Sequence, residues 1–296
     1  MGGSLAAHAA RAGHDVTVVD VSADVVLQIQ HGGIQVQAPE GTFTAAVAAT
    51  LDPSDVGVVD VIVLFVKAQH TEAATRSVTP MIGPKTAVAT LQNGWGNADR
   101  LASAVPAEQL VIGVTYNSCT SSGLGQVVHS GRGDTVTGPY QDTDLTFANV
   151  AAELLNSSGW SAQVTTEVRT EIWKKLVLNC ATLPTAALSR LNAGALGEPG
   201  EVRDVVDAIA AEAVAVAAAQ GLSVALPERL HAIHGLLDRA GDGKASMLQD
   251  VLANRKTEIE TVNGAVVGIG DRLGIAVPLN RAMVALVHGI ERSYLS

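Results

Sequence analysis

The sequence is short of aromatic rings: only 3% of its 296 residues are Phe, Trp or Tyr. Its core must therefore be filled mainly by Val, Leu, Ile and Ala, within an apolar share of 47% that excludes broad disorder. Cysteine is scarcer still. Cys119 and Cys180 have no metal-ligand spacing and form no disulfide framework, so no metal site is expected. The pair fits a reducing, cytoplasmic compartment. Positive charge is in deficit, with 19 Lys and Arg against 29 Asp and Glu and a net charge of −10. A phosphate backbone needs a basic surface, which argues against nucleic acid as a partner. A small anion is not excluded, since one local lysine can hold a carboxylate. No uninterrupted apolar span suits a membrane helix, so no membrane partner is expected. The start lacks the basic segment and apolar run of a secretion signal.

What is present is organised in two stretches. Residues 1–165 alternate strand-like and helix-like segments, and residues 166–296 read as helical. At this length two domains are expected. The opening MGGSLAAHAARAGHDVTVVD places Gly2 and Gly3 before an alanine-rich helix, then a short strand ending at Asp20. That order is the second half of a dinucleotide-binding unit: glycine turn, helix, strand, ribose-binding carboxylate. Its first strand and leading glycines are missing before Met1, and the expectation is a native start about ten residues upstream. The run VVDVIVLFVK, Val58 to Lys67, reads as a strand buried on both faces. TAVATLQNGWG and QLVIGVTY repeat the pattern, which implies an α/β, Rossmann-type doubly wound sheet followed by an all-helical domain. Asp20, Lys67 and Asn93 each fall at the carboxyl end of an expected strand, where ligands bind in such sheets. In the second half, EVRTEIWKKLVLNCATLPTAAL, EVRDVVDAIAAEAVAVAAAQGLSV and ASMLQDVLANRKTEIETVNGAVVGIGDRLG each read as a helix.

Seven pieces in order, MGGSLAAHAARAGHDV, VIVLFVKAQH, LQNGWGN, GQVVHSGRG, IWKKLVLNCATLPTAAL, SMLQDVLANRKTEIETVNG and GIAVPLNRAMVALVHGIE, resemble the ketopantoate reductase (2-dehydropantoate 2-reductase) family. The resemblance implies an N-terminal dinucleotide-binding domain and a helical domain that covers the substrate. It also implies NADPH-dependent reduction of a 2-keto acid to the (R)-2-hydroxy acid, ketopantoate to pantoate in pantothenate synthesis.

The chemistry has candidates of its own. Hydride addition to a ketone puts negative charge on its oxygen, and a protonated lysine can supply the proton. Lys174 and Lys175 point about 100° apart on a helix. Lys175 shares a face with Asn179, and the family pattern W-x-K-L-x-x-N assigns it the catalytic role; Lys174 reads as a solvated charge. Asn93 resembles the family asparagine that positions substrate and nicotinamide, and Lys67 the lysine near the nicotinamide ribose. Ser246 and Glu258 resemble the family's serine and glutamate on the lid side. A continuous helix would hold those two about 18 Å apart, too far for one small keto acid. Ser246 is then the carboxylate ligand, while Glu258 faces the nicotinamide ribose, or the substrate if the helix bends.

Two departures from the family bear on specificity. Val21 stands where an NADP-binding arginine is expected, and Asp20 before it accepts hydrogen bonds from a ribose diol and repels a 2′-phosphate, so NADH is favoured over NADPH. Leu183 stands where the family often has asparagine, which replaces an amide by an apolar side chain. An NAD-dependent D-2-hydroxy acid dehydrogenase for branched or aromatic substrates is therefore the alternative enzyme reading. A non-catalytic dinucleotide sensor is the alternative of another class, disfavoured by the set Lys175, Asn179 and Asn93. The partner is a small 2-keto acid, and a homodimer is one compatible assembly.

Overall fold

The computed structural model describes residues 1–141 and 143–295. They gather into two compact units, Met1–Gln92 with Asn97–Val168, and Asn93–Gly96 with the chain from Arg169 onward.

The first unit begins with helix α1 (Gly2–Arg11), strand β1 (Thr17–Val19), helix α2 (Ala23–Gly32) and strands β2 (Ile34–Ala38), β3 (Gly41–Ala45) and β4 (Ala48–Thr50). It continues through β5 (Val61–Leu64), α3 (Thr71–Val78), β6 (Ala87–Thr90), α4 (Asn97–Leu101) and β7 (Leu110–Thr115). Strands β8 (Ser118–Gly123), β9 (Gln126–Gly131) and β10 (Thr135–Pro139), helix α5 (Thr146–Ser157) and β11 (Ala162–Val164) complete it. The expected parallel strands β5, β6 and β7 are neighbours. β10 joins β7 antiparallel, and β11 joins β10 in parallel, giving the order β11-β10-β7-β6-β5. β1 pairs in parallel with β4 as a separate two-stranded sheet. The doubly wound sheet is thus present in two pieces. Every residue of β6 and β7 is buried, as continuous apolar runs require.

A second sheet departs from the simple alternation expected for residues 1–165. Its order is β3-β2-β9-β8, with only β2 and β9 parallel. IQVQA in β2 buries Ile34, Val36 and Ala38 and exposes Gln35 and Gln37, the period-two pattern of a strand with one wet face. Helix α1 is tied to this sheet. The Ser4 hydroxyl meets His129 Nδ1 at 3.2 Å, and His129 Nε2 meets Asn117 Oδ1 at 3.1 Å. An amide oxygen only accepts, so Nε2 carries the proton and Nδ1 accepts from Ser4. Burial lowers the His129 pKa, which keeps the ring neutral as this arrangement needs.

The second unit is helical: α6 (Val168–Ser189), α7 (Ala193–Gly197), α8 (Glu201–Ala219), α9 (Leu226–Ala240), α10 (Ser246–Leu252), α11 (Asn263–Leu273) and α12 (Pro278–Arg292). Its core is aliphatic apart from Trp173 and Cys180, and gathers Ile209, Ala210, Ala213, Val216 and Ala217 of α8 with Leu176, Val177 and Ala181 of α6. The single helix expected over residues 245–274 is instead two. Asn254 takes φ +52, Asn254 N–H donates to the Val251 carbonyl, and Arg255 N–H reaches back to the Asp250 carbonyl at 2.8 Å. That pair of bonds terminates α10 as a left-handed C-cap does, and asparagine tolerates the conformation.

Helix α6 runs unbroken past Pro184. Proline has no N–H for the carbonyl four residues back, that of Cys180. Asn263 fills the vacancy: its Nδ2 donates to the Cys180 carbonyl and to Asn280 Oδ1, both at 3.0 Å. Asn280 Nδ2 donates onward to Glu212, whose carboxylate also takes the Leu279 and Asn280 N–H groups at the start of α12. Asn263→Ala should therefore lower stability by about 1–3 kcal/mol, the cost of stranding buried polar groups. Adding Pro184→Ala, which restores an N–H for Cys180, should recover part of that loss. Urea unfolding of the single and double variants measures both.

Candidate active site

In the second unit, α6 carries the two lysines on different faces. Lys174 Nζ is paired with Glu171 Oε1 at 2.7 Å, one turn back on the same helix. Its charge is thereby answered locally. Lys175 is half-buried, and its Nζ donates to Asn93 Oδ1 at 2.9 Å. Burial lowers the Lys175 pKa to about 8, and the nearby negative charge of Glu258 works against that fall. Asn93, Lys175 and Glu258, chosen from sequence for different roles, are thus brought together. Asn179, one helical turn beyond Lys175, is buried.

Two backbone segments set this geometry. The first is the loop Asn93–Gly96. Gly94 has φ +88, and a Cβ there would lie 2.4 Å from the Thr261 carbonyl oxygen, so only glycine fits. The next residue, Trp95, donates its N–H to that same carbonyl at 2.8 Å. Its ring packs on the buried Trp173, two residues before Lys175, with the Arg169 guanidinium over it. The second segment is the turn Glu258–Val262, in which the Glu258 carbonyl accepts the Thr261 and Val262 N–H groups at 3.1 Å. Thr261 and Trp95 were not singled out from sequence. Thr261 acts through its carbonyl, which no residue type signals; the Asn-Gly-Trp-Gly spacing was the legible trace of the loop.

Ser246 opens α10 and is exposed. The premise of 12 residues of continuous helix between it and Glu258 does not hold, because α10 ends at Leu252. Leu183 is half-buried and packs against two apolar clusters of this unit.

The first unit holds the other candidates. Gly2 and Gly3 form the first turn of α1, which has no acidic residue and no side-chain cap. Such a helix start, with backbone N–H groups pointing outward along a positive dipole end, suits an anion. Asp20 follows β1 and accepts the Ser22 N–H with Oδ1 at 2.9 Å, so it serves the turn into α2 as well as standing at the strand end. Val21 beside it is fully exposed. Lys67 is half-buried in the loop after β5. Gln92 braces that loop, donating to the Val66 carbonyl and to Thr71 Oγ1 at 2.6 and 2.8 Å. The glycine turn and the strand-end carboxylate fit a dinucleotide. Among the described residues no group of three or more His, Cys, Asp or Glu could hold a metal ion, and no helix is long and apolar enough to cross a membrane.

Comparison with known proteins converges with this arrangement. Residues 1–142 match the model of ketopantoate reductase PanE/ApbA, and residues 167–291 that of the ketopantoate reductase PanE/ApbA C-terminal domain. The chain is 34% identical over 284 residues to 2-dehydropantoate 2-reductase of Halobacterium salinarum, covering 94% of this chain and 91% of the relative. It is 30% identical over 245 residues to that of Archaeoglobus fulgidus, covering 83% and 80%. Among solved structures, D-mandelate dehydrogenase with NADH and anilino(oxo)acetate superposes with a TM-score of 0.94 at 28% identity, covering 100% of this chain and 97% of that one. A PanE/ApbA family ketopantoate reductase from Ralstonia eutropha superposes at 0.90 with 32% identity, covering 99% and 95%. A lysine held between an amide oxygen and a carboxylate, a glycine-started helix and matches along both units lead to one conclusion: the chain belongs to the ketopantoate reductase family, oxidoreductases that act on a CH–OH group with a nicotinamide dinucleotide.

Proposed function

We propose that this protein reduces ketopantoate to (R)-pantoate, with Lys175 as the proton donor. The observation that carries the reading is the Lys175 Nζ–Asn93 Oδ1 bond of 2.9 Å beside Glu258. When bound, the reduced nicotinamide supplies the hydride. The first turn of α1, at Gly2 and Gly3, would hold the phosphates, Asp20 the adenosine ribose diol, and Lys67 the nicotinamide ribose. As the ketone carbon gains hydride, its oxygen becomes an alkoxide, and Lys175 passes one proton from Nζ to it. The neutral amine then regains a proton from solvent. Asn93 orients Nζ by accepting one of its N–H groups. Glu258 keeps the amine protonated until the proton is needed. Asn179 and Ser246 are assigned to the substrate's polar groups.

A second reading, a D-2-hydroxy acid dehydrogenase for branched or aromatic substrates, is favoured by one observation. The likeness to D-mandelate dehydrogenase, at TM-score 0.94, extends over the full chain. Steady-state reduction of ketopantoate, 2-ketoisovalerate and phenylglyoxylate separates the two. A kcat/KM highest for ketopantoate supports the first, and one highest for phenylglyoxylate the second.

Lys175→Ala should lower kcat by about 10²-fold or more, the scale of general acid catalysis, while Lys174→Ala should change it little. Equal losses would remove Lys175 from its role. The acid must be protonated to act, and its pKa is about 8. The kcat/KM for reduction should therefore hold below that value and fall tenfold per pH unit above it. The reverse oxidation should gain over the same interval, and initial rates from pH 6 to 10 check both.

The coenzyme preference follows from Asp20 and the fully exposed Val21. NADH should exceed NADPH in kcat/KM. Asp20→Ala with Val21→Arg should reverse the order, because a carboxylate that repels the 2′-phosphate is exchanged for a cation that pairs with it. A wild type that prefers NADPH would refute this assignment of Asp20.

A further inference from the structure

The carboxylate of Glu291, near the end of α12, is buried. A charged group loses its hydration when buried, so its partners matter. Glu291 Oε1 accepts the backbone N–H of Thr257 at 2.7 Å, and Thr257 is the residue before Glu258. Two further ties hold the same short segment. Tyr294 Oη donates to the Arg255 carbonyl at 3.1 Å. The Arg255 guanidinium pairs with the buried carboxylate of Asp250 at 3.0 Å. The segment therefore leaves α10 under restraint from the end of α12 and enters the turn that carries both Glu258 and Thr261. Glu258 reaches Lys175 by its charge. Thr261 reaches it indirectly, by holding Trp95 N–H and with it the loop of Asn93.

We propose that Glu291 is a positioning residue for this site: by accepting the Thr257 N–H it fixes the one turn on which both partners of Lys175 depend. The proposal rests on Lys175 being the proton donor. Glu258, from the turn, is a charge that acts on Lys175; the Lys174–Glu171 pair and Arg169 over Trp95 stand on α6 itself. Of these, only Glu258 stands on the element that Glu291 anchors.

The test is the pH dependence of kcat/KM for reduction by the full-length enzyme. Glu258 favours the protonated amine, so loosening its turn should move the alkaline fall to lower pH. Glu291→Ala should do so by about half a unit or more, with kcat down about tenfold and the KM for the reduced coenzyme within about twofold. Glu291→Gln keeps an acceptor for Thr257 and should restore the wild-type profile. Glu258→Gln should show the shift directly. A folded Glu291→Ala enzyme with a wild-type alkaline limb overturns the proposal, as does Glu291→Gln that shifts as far as Glu291→Ala. Should Glu291→Ala fail to fold, Tyr294→Phe, which removes another tie to the same segment, must show a smaller shift in the same direction; an unmoved limb there overturns it. Lys175→Ala that retains full activity removes the underlying reading, and the proposal falls with it.

Discussion

A lysine ammonium held in a half-buried position is the constraint around which the second unit is arranged. Burial alone drives such a group toward its neutral form, and a neutral amine cannot donate the proton that ketone reduction needs. The charge of Glu258 offsets that tendency without abolishing it, which leaves Lys175, hydrogen-bonded to Asn93 Oδ1, with a pKa of about 8, close to working pH. A fully solvated lysine would be a weaker acid by about two units and a poorer donor. Neither partner comes from α6. Asn93 arrives on a loop from the sheet and Glu258 on a turn between helices. Their meeting is possible because Gly94 lets the loop lie directly on the Thr261 carbonyl.

The bundle that supports this arrangement is built with few large side chains. Alanine and valine along α8 bring backbones close, but small side chains discriminate poorly between alternative packings. The polar chain Cys180 carbonyl, Asn263, Asn280, Glu212 supplies directional bonds within that core. It also joins four separate features: the proline gap in α6 and the positions of α11, α12 and α8. Buried polar groups that are satisfied by one partner only make every other arrangement costly. The arrangement that orders α6 thereby orders Lys175, which lies nine residues before Pro184 on the same helix.

Much of this was legible in the chain itself, because it depends on local rules. The apolar run Val58 to Lys67 marks a parallel strand, but not one buried on both faces: β5 is only Val61–Leu64, lies at the edge of its sheet and buries only alternate residues. The two lysines were separable in sequence by helix geometry and family pattern, and the Lys174–Glu171 pair at i, i+3 gives the physical reason for Lys174. The left-handed stop at Asn254 is legible from residue type, because asparagine tolerates that conformation, but the apolar periodicity on either side of it reads as one long helix. Asp20 at the end of its strand was a direct consequence of the order of elements.

Tertiary structure decided what depends on distant segments or on backbone atoms. The sheet β3-β2-β9-β8 pairs residues near 36 with residues near 127, and no local pattern announces that partner. Helix α6 runs straight through Pro184, a possibility that depends on Asn263, 79 positions later, being there to answer the freed carbonyl. Thr261 and Glu291 carry no sequence signal for the same reason: one acts through its carbonyl and the other on a peptide N–H, groups that every non-proline residue has. By itself the sequence determined which side chains are chemically able to bind a dinucleotide and donate a proton. Only the fold decided that Asn93, Lys175 and Glu258 meet, because their contact is made across 165 residues of chain by backbone hydrogen bonds that side-chain identity does not encode.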